Sequence, residues 1–173
     1  LEKNMAILKI AKMGHPLLLQ KAKKVEDPTS PKIKKLVNDM LDTLNDLGGS
    51  GVGLAAPQVH VSLQVVIFEV VNDENTSLIT LINPKIEVLT KETSIDWEGC
   101  LSVPGLRGKV RRPNKIKYTG FDLEGKKIKT IAEGFDARVV QHECDHLLGI
   151  LYPQRMKDLS SLQFVSEARH WSE

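Results

Sequence analysis

The sequence has little cysteine, no long apolar run and no excess of charge of either sign, and each shortage removes a class of protein. Two cysteines, Cys100 and Cys144, are too few for a disulfide-built scaffold, and in a reducing compartment they are not expected to pair. They are candidates for metal binding or burial instead. No stretch approaches the roughly 18 apolar residues of a membrane-spanning helix, so no membrane partner is expected. The N-terminal end has neither an apolar run nor a small-residue cleavage site, which points to a soluble, cytoplasmic enzyme. Leu1 to Asn4 precede Met5 and read as an addition ahead of a natural start, without functional weight. Lysine and arginine number 24 against 22 aspartates and glutamates, so no overall field draws the chain to nucleic acid or to an anionic surface. Any partner must be recognised by a local site.

What is present suffices for one domain across 1–173: 41% of the residues are hydrophobic, and there is no repeat, low-complexity tract or linker. From Ser30 the pattern is helical. Ser30 is placed to cap, Pro31 suits the first turn, and Ile33, Leu36, Val37, Met40, Leu41, Leu44 and Leu47 recur at three- and four-residue steps until Gly48-Gly49. A glycine-rich loop, Gly48 to Gln58, follows. Leu63 to Val71 and Leu78 to Ile82 read as strands joined by a turn at Asn72 to Asn75, and Lys85 to Leu89 continues the sheet. The stretch with Pro104, Gly105 and Gly108 reads as a loop. Lys115 to Phe121 and Lys126 to Ile131 then flank a hairpin turn at Asp122 to Gly125. Phe135 to Leu148 has helix length, stops at Gly149, and is apolar or histidine-bearing on most of its circumference, as a central buried helix would be. Asp158 to Trp171 reads as a last amphipathic helix with Leu159, Leu162 and Val165 toward the core. The class is α+β.

His142-Glu143-Cys144-Asp145-His146 is an HExxH sequence on the central helix. Residues four apart share a helical face, so both imidazoles reach one ion, and Glu143 stands beside it to act on a water. Cys144, about 200° around the helix from each histidine, faces away and reads as core packing. A catalytic site needs a third protein ligand. The HExxHxxGxxH pattern has its glycine at Gly149 but Tyr152 at its last position, so that reading fails. Glu167, on the last helix, would give a His₂Glu site. Cys100, in Trp97 to Ser102, would give a thiolate site suited to zinc or ferrous iron. The spacing alone leaves both open. Glu98 and Arg107 are equally open, between orienting other groups and pairing at the surface. His15, His60 and His170 stand apart from the motif and read as surface or loop residues.

Three segments together resemble the peptide deformylase family: Gly51-Val52-Gly53-Leu54-Ala55-Ala56-Pro57-Gln58, Glu98-Gly99-Cys100-Leu101-Ser102 and Gln141-His142-Glu143-Cys144-Asp145-His146. They match GxGxAAxQ, EGCxS and QHExDH in that order, and the likeness runs from about Ile10 to Tyr152. The resemblance implies antiparallel sheets around the HExxH helix, removal of the N-formyl group from N-terminal methionine, and release of formate. It implies Cys100, His142 and His146 as ligands of Fe²⁺, with Zn²⁺, Ni²⁺ or Co²⁺ able to stand in. It also implies Glu143 as the proton carrier, the Gln58 amide and Leu101 N–H as oxyanion donors, and Val52, Gly53, Gly99 and Val139 as substrate-binding. N-formyl-methionyl nascent peptides are the implied partners, with transient contact to the ribosome. One position departs from the pattern. Arg138, one turn before His142, stands where many bacterial members carry an apolar residue.

Overall fold

The computed structural model describes residues 6–72 and 75–171. Its first α-helix, α1 (Pro31–Asp46), begins where the Ser-Pro signal puts it, although the Ser30 side chain makes no capping bond. Proline at the first position needs no partner for its missing N–H, and the Ser30 carbonyl already accepts from Ile33 and Lys34. Ile33, Val37, Met40 and Leu44 of the expected stripe are buried.

Five strands form one antiparallel sheet in the order β1 (Gly53–Ala55), β2 (Val65–Asn72), β3 (Asn75–Val88), β6 (Lys115–Phe121) and β7 (Lys127–Glu133). Asn72 and Asn75 face each other across the expected turn, whose Asp73 and Glu74 lie outside the described residues. The two segments expected after it are one long strand with a bulge between Ile82 and Lys85. Asn83 sits in this bulge with φ of 52°, and its side chain bonds both the N–H and the carbonyl of Val25.

The run Val65-Val66-Ile67-Phe68 is apolar without alternation because both faces of the sheet are covered. Val65 and Ile67 pack with the α1 residues, while Val66 and Phe68 pack with Ala137, Val140, Cys144 and Leu147 of α2 (Gly134–Leu147). The central helix ends as expected. The N–H groups of Gly149 and Ile150 fold back to the carbonyls of His146 and Asp145, and Gly149 takes φ of 74°.

Two expectations are corrected. The stretch read as a loop is β5 (Val103–Pro113), paired antiparallel with β4 (Thr93–Cys100) and with the short β8 (Gln163–Phe164) in a second sheet. Its inward positions are Val103, Gly108, Val110 and Arg112, so a glycine and a buried cation take two of the places where apolar residues would mark a strand in sequence. The last amphipathic helix is absent. Its residues form short 3₁₀ turns, Leu159–Ser161 and Val165–Trp171, around β8. Leu159 and Val165 are exposed, and only Leu162 packs inward. Backbone pairing of Gln163 and Phe164 with β5 outweighs a helix of about four turns that has little to bury.

Candidate metal centre

Cys100 stands at the tip of the β4–β5 hairpin, after a bulge between Gly99 and Cys100, with Val103 opposite it. Gly134 to Leu147 carries His142 and His146 on the face turned to that tip. The cysteine sulfur and one ring nitrogen from each histidine lie within 4.8 Å of one another, and Cys100 Sγ is 3.5 Å from His146 Nε2. A tetrahedral ion with bonds of ~2.3 Å to sulfur and ~2.0 Å to nitrogen needs its ligand atoms about 3.5 Å apart, so the three groups fit one divalent ion. The sulfur also accepts from two N–H donors, Gln58 Nε2 at 3.5 Å and Ser102 N at 3.4 Å. Glu167 is not part of this group. It is exposed near the C-terminal end and faces His170 at 3.4 Å.

Glu98, left open by the sequence, is buried and central. It takes both Arg112 Nε and Nη2, at 2.9 and 3.0 Å, and Arg138 Nη1 at 2.8 Å. Its Oε2 lies 2.9 Å from His142 Nδ1, which fixes the ring and leaves Nε2 for an ion. Burial opposes the Glu98 charge, but the bonds from His142 and Arg112 outweigh it and hold its pKa at about 2. Burial likewise opposes charge on His142, yet its bonds to Cys100 and Glu98 hold the metal-free imidazole up, at about 10. Burial, aided by the charges of His142 and Arg112, pushes His146 well below the usual range. Arg112 continues to Asp145 at 2.6 Å, and Asp145 takes two further bonds from Arg155. Sequence reasoning missed Arg112, Asp145 and Arg155. The aspartate inside the HExxH motif was the available signal. Arg107 does not join this network but stacks over the Trp97 ring, 4.1 Å from its centre.

Gln58 is buried in a 3₁₀ turn, Ala56–Val59. Its Oε1 accepts from Ala55 N at 2.9 Å, which sets the amide so that Nε2 faces the cysteine. Glu143 is also buried. Burial, only partly offset by the charge of His142, raises its pKa to about 7, the range of a group that both takes and returns a proton near neutrality. Gly53 lies against it. A Cβ there would stand 2.6 Å from Glu143 Oε1, so glycine is what lets β1 approach the carboxylate.

These residues line one open cavity of about 590 Å³, which includes Val52, Gly53, Gln58, Gly99, Cys100, Leu101, Val139, His142 and Glu143. Every substrate-binding residue expected from the sequence is on its wall. Cys144 is buried in the core as expected, and burial pushes its thiol well above the usual value.

A family model described as polypeptide deformylase matches residues 7–161. The chain belongs to the peptide deformylase family. It is 50% identical over 162 residues to peptide deformylase 1 of Nitrosomonas europaea, covering 90% of this chain and 91% of that one. Identity to peptide deformylase 2 of Ralstonia nicotianae is 49%, over 90% of each chain. A Met-Ala-Ser bound class I type b peptide deformylase from Acinetobacter baumannii superposes with a TM-score of 0.81 at 36% identity, over 88% of this chain and 100% of that one. The Synechococcus elongatus peptide deformylase in complex with actinonin gives 0.80 at 34% identity, over 91% and 82%. Enzymes of this family remove the N-formyl group from newly synthesised polypeptides, and this chain is a metal-dependent deformylase.

Proposed function

We propose that Cys100, His142 and His146 hold the ion, natively Fe²⁺ with Zn²⁺, Ni²⁺ or Co²⁺ as substitutes, and that Glu143 moves the proton. The observation that carries this is the convergence of one sulfur and two ring nitrogens within 4.8 Å, beside a buried carboxylate whose pKa is near neutral. When bound, a divalent ion acts as a Lewis acid and lowers the pKa of a water toward 7. Glu143 takes the proton of the attacking water and passes it to the departing amine, releasing formate and a free N-terminus. The Gln58 Nε2–H and the Leu101 N–H donate to the oxygen that becomes negative in the transition state, worth about 2.7 to 4 kcal/mol for one such donor. Val52, Gly53 and Gly99 border the peptide, and Val139 borders the methionine side chain; their places on the cavity wall support this reading.

The whole chain acts as one catalytic unit on nascent chains, in the cytoplasm and in transient contact with the ribosome. No described helix is long and apolar enough to cross a membrane. The test is anaerobic formate release from a formyl-Met peptide with metal measured in the same sample. Glu143→Gln should keep its metal and lose activity about 10²- to 10⁴-fold. Cys100→Ser should lose the metal and Glu167→Gln should not. Full activity of Glu143→Gln, or metal loss from Glu167→Gln alone, would refute the assignment.

A further inference from the structure

Arg138 differs from the other charges around the centre in where its side chain begins and ends. It leaves α2 one turn before His142, and its side chain is 5% exposed. Its four hydrogen bonds all run to the β4–β5 hairpin. Nη1 donates to Glu98 Oε1 and to the Val110 carbonyl, each at 2.8 Å, and Nη2 donates to the Ser94 carbonyl and Oγ, each at 3.1 Å. One guanidinium thus spans both strands of the hairpin whose tip is Cys100. Ser94 lies about 20 Å up the strand from that tip, at ~3.3 Å per residue. A tilt of a few degrees at Ser94 would therefore move the sulfur by roughly 1 Å, against a tolerance of about 0.2 Å for a metal–ligand bond.

We propose that Arg138 is a positioning residue for the metal: it fixes the hairpin bearing Cys100 against the helix bearing His142 and His146, and so sets how long the ion is retained. This rests on the ligand assignment above. The rigid planar fork suits the task because it reaches carboxylate, carbonyl and hydroxyl acceptors at once, whereas a lysine ammonium is a single point of charge. Arg138 is among the residues that line the deformylase cavity, while its guanidinium is taken up by the hairpin. Methionine at this position therefore keeps an apolar wall while removing the bridge.

The experiment loads the full-length enzyme with Zn²⁺ and follows its loss to excess chelator well below the unfolding temperature. Arg138→Met should release zinc about 10- to 100-fold faster than the unaltered chain, and Arg138→Lys at an intermediate rate. KM for a formyl-Met tripeptide, measured on zinc-replete samples, should stay within about twofold, because the ground-state pocket is retained. If the methionine variant does not fold, the faster loss in the lysine variant carries the test alone. Zinc release from a folded variant at the unaltered rate overturns the proposal. A raised KM with unaltered release also overturns it and makes Arg138 a pocket residue. A chain that holds no stoichiometric zinc, or a Cys100→Ser variant that keeps it, overturns the ligand assignment itself and this inference with it.

Discussion

At the scale of single residues, the centre depends on small side chains being small and on one carboxylate being saturated. Gly53→Ala places a carbon 2.6 Å from Glu143 Oε1, with neighbouring Glu143 atoms at 2.8 and 2.9 Å, so the carboxylate must turn away. A misplacement of about 1 Å at a reacting group costs roughly 10²-fold in rate. Gly53→Ala should show that loss in kcat with its metal content unchanged, as measured by formate release and metal analysis on one sample. Glu98→Gln takes the opposite route. It leaves Arg138 buried with a neutral partner and Arg112 with Asp145 as its remaining charge, where breaking such a pair costs about 3 to 5 kcal/mol, and it weakens the hold on His142 Nδ1. Denaturant unfolding of the metal-free variant should fall by that amount, and its metal affinity by about 10- to 100-fold. The pairing of His142 and His146 on one face was legible in the sequence because HExxH encodes that geometry, whereas Cys100 entered only through the family resemblance. The Glu98 network was not legible, since its members lie on β4, β5 and α2 and meet only in space.

Among the elements, α1, the β6–β7 hairpin and the central helix follow local signals, and local chemistry also ends them. Gly149 shows how firmly. It holds φ of 74°, and a Cβ on it would stand 2.6 Å from the Leu19 backbone, which does not yield as a side-chain tip would. Gly149→Ala should therefore destabilise the protein by about 1 to 3 kcal/mol through the strained conformation alone. An unchanged midpoint in chemical denaturation would contradict both the backbone strain and the clash with Leu19. The β4–β5 hairpin and the missing last helix were illegible for complementary reasons. In β5 the inward places are taken by Gly108, which fits against Met156, and Arg112, which is buried by its ion pairs. Neither looks apolar. In 158–171 the apolar spacing suggests a helix, but Leu159 and Val165 stay more than half exposed.

For the whole molecule, the buried charges of the centre make stability and metal binding depend on pH in opposite regions. Glu98 is held at about 2 in the folded metal-free protein, against an ordinary carboxylate value of 4.5. Its depressed pKa contributes stability that is present above pH 4.5 and lost as pH falls toward 2, on the order of 3 kcal/mol. His142 is raised to about 10 from 6.5. Its contribution is full below pH 6.5 and is lost as pH rises to 10. The same proton must leave when an ion binds, so metal affinity should climb about tenfold per pH unit below 10 for that proton. Calorimetric titration of metal into the metal-free protein, in buffers of different ionisation enthalpy at pH 7, should detect proton release; binding with none would contradict the protonated His142. The sequence by itself determined α1, the central helix, the antiparallel strands with local turns, and the placing of His142 and His146 on one helical face, because helical spacing and short motifs are properties of neighbouring residues. Tertiary structure alone decided that a glycine- and arginine-rich stretch is a strand, that Cys100 rather than Glu167 meets the histidines, and that Arg138 ties the two halves of the centre together. Those outcomes depend on which distant groups can satisfy buried charge and backbone, and no local pattern records that.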